Sequence, residues 1–436
     1  MLKIIIKDKY MVEFDVIIIG AGAAGITAAN ILKSNNIKTC ILEARDRIGG
    51  RIHDVKHKEM GDIHLGASWL HHKGRKHILK KILDDNNIKY LNDDALENSD
   101  AVDIYTKSEK LSGEEHDLFS KILIKLPKNI KKLGKQHPKL SVTDVVTLIG
   151  KKYGYSKDLI NALISRAVEH CSKNANVMPA KEYDGWEANG LFIKDGFGKL
   201  MNKLSKNLNI KLNTIVKVID QSNEKIIIDT SNKKYTCKYV ITTLPIGVLK
   251  SGQVKFKPEL PINKKLALKQ LNTGNHEKIF LKFPNVFWDK DTEVFQLATT
   301  NHRGVCTQWF NILLKAENEK ILYTNISGPD INYAKKSDNE LQKICMANLR
   351  IMFGDDIPEP ESIYVTRWSL DKYTLGGPYA HPNMKGTMED LSTIGKPFGK
   401  IHFGGVDTSK SETETVEAAM LSGIRTANQI LKKIYN

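Results

Sequence analysis

An unbroken apolar run, Val16 to Ile19, leads directly into a turn with glycines at positions 20, 22 and 25. A continuous aliphatic run fits a strand covered on both faces, as in a parallel sheet. Apolar residues then recur at helical spacing from Ile26 to Leu32, and Asn35 and Asn36 mark the stop. "KTCILEA" predicts a second strand ending at Glu43. Residues 75 to 180 change to helical spacing with many charges. Strand patterns return over 190 to 250, and residues 276 to 330 alternate as antiparallel strands do. Residues 338 to 353 read as a helix. A strand ("KIHFGG"), a polar loop and a helix from about Glu414 to Ile434 follow. No internal repeat or low-complexity linker interrupts the pattern.

The opening order is strand, glycine turn, helix, strand, acid. Each part suits a dinucleotide. Gly20 makes the tight turn, Gly22 admits a pyrophosphate to the backbone, and Gly25 lets helix and strand pack closely. The helix N-terminus faces the phosphates, and Glu43 can accept hydrogen bonds from a ribose diol.

Bulk properties narrow the class. The 436 residues suit about two domains. No apolar run reaches the roughly 18 residues that span a bilayer. The amino end lacks a secretory pattern, Met11 reads as the true start, and the carboxyl end is not a peroxisomal address. Five scattered cysteines without a C-x-x-C pair fit a reducing cytoplasm and argue against a disulfide frame or a cysteine zinc site. A formal charge of +16 raises a nucleic-acid reading. The densest basic stretch, Lys121 to Lys139, has no aromatic residue to stack on bases and reads as a solvated surface. Neither a nucleic-acid nor a membrane partner is expected.

The first motif alone leaves nicotinamide and flavin dinucleotides open. "EARDRIGGRI" adds a second glycine pair, Gly49 and Gly50, between Arg47 and Arg51. Two close backbone approaches and two guanidinium groups suit a long, bent dinucleotide. With "LGASWLH", "LNTIVKVI", "YVITTLPIGVLK", "EKIFLKFPNVFWD", "RWSLDKY" and "HFGGVDTS" followed by "ETVEAAMLSGIR", the sequence resembles the flavin-containing amine oxidases, and among them polyamine oxidases and lysine-specific histone demethylases. The resemblance runs from about Asp15 to Leu431. It implies an α/β fold: a Rossmann-like, glutathione-reductase-type FAD domain (11–74, 190–250 and 390–436) interleaved with an α+β substrate domain (75–189 and 251–389). Residues 1–10 form an extension. No long coiled-coil insertion is present, which argues against a demethylase.

The resemblance assigns residues. Gly20, Gly22, Ala23, Ala24 and Gly25, then Glu43, Ala44 and Arg45, then Gly50 and Arg51, would hold FAD. Gly66, Ala67, Ser68 and Trp69 would pass beside the flavin ring, Val216 would meet the adenine through its backbone, and Thr415 and Val416 would present helix amides to the pyrimidine ring. Val406 stands where the family commonly has a glutamate, and Asp407 is adjacent to take its place. Thr415 stands where several members carry an aromatic. Lys278 matches the lysine that bonds through water to flavin N5, and His71 matches an active-site histidine. Trp69, Tyr379 and Glu169 would contact substrate. No arginine holds a substrate carboxylate near Trp69, so an amine without an α-carboxylate is expected. The nearby His53, His57, His64, His72 and His77 lack an H-E-x-x-H arrangement, and no metal is expected. No cysteine lies where monoamine oxidases carry a covalent link, so FAD is expected to be noncovalent.

The implied reaction oxidises an amine C–N bond, with a small cationic amine and oxygen as partners and a monomer or homodimer as the working form. Asp84, Asp85, Asp93, Asp94, Glu97, Asp100 and Asp103 could rim an entrance for the cation. Two alternatives stay open: a flavin dehydrogenase or desaturase of the same fold, and a flavin- or nucleotide-binding protein without turnover.

Overall fold

The computed structural model describes residues 12–71, 78–93, 101–107, 109–169, 174–183, 190–299, 303–312, 320–327, 330–410 and 415–436. Val12–Ile19 forms the first strand, pairing in parallel with Thr39–Leu42 on one side and Lys234–Thr242 on the other. Its two faces serve two cores. Val16 and Ile18 point into one, beneath the helices Ala23–Ser34 and Val416–Tyr435, while Ile17 and Ile19 point into the other. Burial on both faces explains the unbroken apolar run.

This eight-stranded sheet has the order 255–257, 216–220, 226–230, 234–242, 12–19, 39–42, 210–211, and Ile401–Phe403 adds in parallel to Lys234–Thr242. It takes in Lys255–Lys257, past residue 250 where the sequence reading ends the cofactor segment. A second, six-stranded sheet has the order 362–365, 276–282, 321–327, 305–311, 294–297, 102–105. Its middle strands are antiparallel, as the alternation over 276 to 330 predicts. The helix Asp338–Phe353 covers one face, starting at a capping box of Ser337 and Glu340. Helices Gly113–Gln136, Val142–Lys152 and Lys157–Glu169 share a separate apolar core. No helix among the described residues is long and apolar enough to cross a membrane.

Among the described residues, no acid pairs with the buried Lys264. It is 2% exposed. Its Nζ donates to the carbonyls of Thr393 (2.9 Å), Ile394 (2.6 Å) and Lys396 (2.6 Å), and lies 4.1 Å from the Phe403 ring centroid. It thereby ties the helix Ile262–Gln270 to the end of the helix Glu389–Gly395. Burial, then Arg425 and Lys396, pushes the ammonium down to about 7. A folded-state value below the unfolded one means the unfolded chain binds more protons between the two. Stability from this group therefore rises with pH from about 7 toward the ordinary lysine value. Lys264→Met leaves three carbonyls without their donor, a loss of about 1–3 kcal/mol for each one left buried and unpaired. We expect a lower Tm at neutral pH and a flatter rise of Tm between neutral and alkaline buffer. Thermal melts at both pH values check it.

Candidate active site

A cavity of about 330 Å³ runs from the glycine turn to the second sheet. At its first end the strand Val12–Ile19 stops at Gly20, whose φ of +102° favours glycine. Gly25 sits one helical turn on, where a β-carbon would lie 2.0 Å from the Gly20 carbonyl oxygen. At Gly22 a β-carbon would meet only Gly49 O, at 3.8 Å, so this position opens into the cavity. Glu43 spans the turn: its carboxylate accepts from the Ala21 amide (2.7 Å) and the Arg45 amide (2.9 Å).

The arginines divide the work differently from the sequence reading. Arg47 donates to the carbonyls of Ile48, Gly50 and Ile52, bracing its own loop, and is not a cavity residue. Arg51 lines the cavity and donates to Pro378 O. Arg45 makes a bidentate pair with Asp371 (2.7 and 2.6 Å) and reaches Thr374 Oγ1 at 3.0 Å. Burial pushes the Asp371 carboxyl up, but Arg45, the Tyr373 amide and Thr374 together hold it below the usual range.

Gly66, Ala67, Ser68 and Trp69 form one wall. A β-carbon at Gly66 would lie 1.8 Å from Arg51 O. Trp69 and His71, two apart on the strand Trp69–His71, both face the cavity, whereas Leu70 enters the core. Trp69 meets Phe192 edge-on at 5.3 Å, and Phe310 stacks on Tyr323 with centroids 4.6 Å apart.

Lys278 joins these walls. It is 6% exposed, on the strand His276–Lys282. Its Nζ donates to His64 O (3.0 Å), Gly66 O (2.7 Å) and Ser68 Oγ (2.8 Å), and lies 5.5 Å from the ring centroids of both Trp69 and Tyr323. Burial pushes its ammonium down to about 7, against the opposing field of Asp54. All three protons of the charged form are engaged within the protein; the neutral form has two protons and a lone pair. Its neighbour Glu277, 0% exposed, carries the loop behind it. That carboxylate accepts from Thr366 Oγ1 (2.9 Å), Trp368 N (2.7 Å) and Ser369 N (2.7 Å). Trp368 lines the cavity and donates its Nε1 to Leu65 O at 3.0 Å.

Most of the residues expected from the sequence meet at this cavity. Gly20, Gly22, Ala23, Ala24, Glu43, Ala44, Arg45, Gly50 and Arg51 line one stretch; Val216, Tyr379, Val406, Thr415 and Val416 line others. Thr415 Oγ1 also caps the helix Val416–Tyr435, accepting from Ala418 N at 2.9 Å. Other residues stand elsewhere. Gly25 packs rather than lines. Val406 lines the cavity, while the adjacent Asp407 carboxylate accepts from Ala380 N (2.8 Å) and sits 3.5 Å from Arg51, itself a cavity residue. The Glu169 side chain lies outside the described residues, as do His72, His77 and the side chains of Asp93, Asp94, Glu97 and Asp100. The remaining rim acids face their own neighbours: Asp84 pairs with Lys80, Asp85 with Lys81 and Asp103 with Lys110. The acid that does line the cavity beside the aromatic wall is Glu293, which no motif marks. Among the described residues no group of histidines, cysteines and acids could hold a metal.

The residues present fit a flavin dinucleotide: a glycine cradle open at Gly22, a bridging acid at Glu43, and a helix N-terminus at Thr415 face one continuous space. No cysteine is among the lining residues.

Comparison with known proteins agrees with this geometry. The chain is 29% identical to "Probable polyamine oxidase 4" of Arabidopsis thaliana, over 99% of this chain and 90% of that protein. It is 28% identical to "Lysine-specific histone demethylase 1 homolog 3" of the same plant over 96% of its own length, but spans only 30% of that relative. The solved structure of wild-type putrescine oxidase bound to putrescine shares the fold, with a TM-score of 0.80 over 97% of this chain and 100% of that one, at 18% identity. A family model described as "Flavin containing amine oxidoreductase" matches residues 23–431. The chain is therefore a member of the flavin-containing amine oxidases, an enzyme family of oxidoreductases.

Proposed function

We propose that the protein is an FAD-dependent oxidase of polyamines or related amines that lack an α-carboxylate. Bound FAD would supply the two-electron acceptor: a substrate C–H next to nitrogen gives up a hydride, the imine is hydrolysed to an aldehyde and a shorter amine, and oxygen leaves as hydrogen peroxide. The observation that carries this reading is Lys278, buried on the six-stranded sheet between the aromatic wall and Gly66.

The chain's own residues would divide the remaining tasks. Gly20, Gly22, Ala23, Ala24, Glu43, Arg51 and the helix at Thr415 would hold the cofactor. Trp69, Phe310 and Tyr323 would exclude water and present ring faces to a cation. His71 would hydrogen-bond an amine or an ordered water, and Tyr379 would guide entry. Lys278 would assist the reaction of oxygen by stabilising developing negative charge. A small cationic amine and oxygen are the proposed partners. The relatives' names, polyamine oxidase and putrescine oxidase, support this substrate class.

The direct test is anaerobic. Spermine, spermidine, their acetylated forms, putrescine and simple monoamines are added in turn to the yellow protein. Bleaching by the polyamines supports the reading; bleaching by none of these amines ends it. Readmitted air distinguishes an oxidase, which recolours at once, from a dehydrogenase. The second possibility has one observation in its favour: all three protons of charged Lys278 are already engaged.

Two outcomes follow for ordinary preparations. FAD should be released by acid, leaving a protein whose mass equals that of the bare chain; a mass raised by one FAD would show a covalent bond. Turnover should rise from neutral to alkaline pH, because a protonated amine has no lone pair to drive hydride loss. A flat kcat/KM profile over that range counts against the mechanism.

A further inference from the structure

We propose that Cys306 and Cys345 are an oxidisable dithiol that closes to a disulfide under a hydroperoxide. The two cysteines are 39 residues apart in sequence, and their Sγ atoms lie 3.4 Å apart. Both are 0% exposed, and they share one apolar core with Leu341, Met346 and Leu349. Neither lines the amine cavity.

The backbone around Cys306 holds it at this position. Its φ is +53°, a left-handed conformation uncommon for a residue with a β-carbon. It sits in a bulge, where register between the strands Val305–Asn311 and Ile321–Ser327 shifts between Val305 and Trp309. Two donors converge on its carbonyl: Trp309 Nε1 at 3.0 Å from the strand, and Asn348 Nδ2 at 2.8 Å from the helix Asp338–Phe353. Strand and helix thus grip the same bulge, and the thiol contact lies between them.

The chemistry balances without any further partner. One sulfur attacks a peroxide oxygen of ROOH, forming a sulfenic acid and releasing ROH. The second sulfur then attacks the sulfenic sulfur, the S–S bond forms, and water leaves. Two electrons and two protons pass from the thiols to the peroxide. A closed apolar core admits small, uncharged oxidants and excludes large, charged ones. Hydrogen peroxide should therefore act and oxidised glutathione should not. The proposal does not rest on the amine-oxidase reading, although that reaction would generate the oxidant in place.

The test uses the whole, unmodified protein. It is exposed to hydrogen peroxide, denatured in an alkylating agent and mapped without reduction. Expected results are a peptide linking Cys306 to Cys345, an intact mass lower by about 2 Da in a portion taken before alkylation, and no such species in Cys345→Ser or after oxidised glutathione. Five alkylated thiols at every dose overturn the proposal. So does a cross-link through Cys40, Cys171 or Cys237, or a sulfinic acid at Cys306 without the linked peptide. The wild-type map alone decides the matter if the variant does not fold.

Discussion

Replacing Lys278 by methionine should lower turnover by about 10²-fold or more, the usual scale for losing one preorganised electrostatic group. The loss should fall mainly on the reaction with oxygen. Stopped-flow traces of anaerobic bleaching and of recolouring in air measure the two halves separately. Equal losses in both would mean that the lysine acts by packing Trp69 and Tyr323 instead. Methionine keeps the length and the apolar stem but cannot donate to His64 O, Gly66 O or Ser68 Oγ. Arginine should not rescue, because its planar fork does not fit three acceptors arranged around one ammonium. The pH dependence of stability provides a second readout. Burial pushes Lys278 down to about 7. The unfolded chain therefore binds more protons from about pH 7 up to the ordinary lysine value, and stability rises with pH across that window. Lys278→Met removes this contribution, so its Tm should rise less between neutral and alkaline buffer.

The second large effect separates folding from cofactor uptake at two neighbouring glycines. Gly25→Ala should yield little folded protein, because the new β-carbon would lie 2.0 Å from Gly20 O and 3.3 Å from Ile18 Cγ2. Those atoms belong to the central strand and its turn and cannot move aside. Gly22→Val should fold and melt close to wild type. Its backbone, φ −81° and ψ −177°, suits any residue, and its β-carbon meets only Gly49 O at 3.8 Å. The added side chain would fill the space where a pyrophosphate approaches the helix, so this variant should be colourless. Circular dichroism reports the fold and visible absorbance the cofactor. A yellow Gly22→Val protein would move the cofactor away from this turn.

These glycines were legible because each acts within a short stretch of chain. The run Val16 to Ile19 announces a doubly covered strand, and the turn and helix follow at once. Lys278 was legible only through its surrounding motif; by alternation it reads as a solvent-facing lysine. Glu277 was not legible. It looks like a polar position on a half-exposed strand, yet its three donors come from residues 366 to 369, about 90 positions on. The Arg45–Asp371 and Cys306–Cys345 contacts are hidden for the same reason. Glu293 follows an acidic, turn-like stretch and has no spacing that sets it apart from surface acids. The different settings of Val406 and Asp407 were not legible either: neighbours in a tight turn point in different directions, and only Val406 lines the cavity while Asp407 accepts from Ala380 N.

The contact between the helices Ala23–Ser34 and Val416–Tyr435 has a consequence for biosynthesis. A β-carbon at Gly423 would lie 2.3 Å from Ala24 O, so the two helices meet backbone to backbone beside the glycine turn. A ribosome releases the first of them long before it makes the second. Until then the growing chain carries the apolar face of Ala23–Ser34 uncovered, a sticky surface that only the last helix of the fold closes.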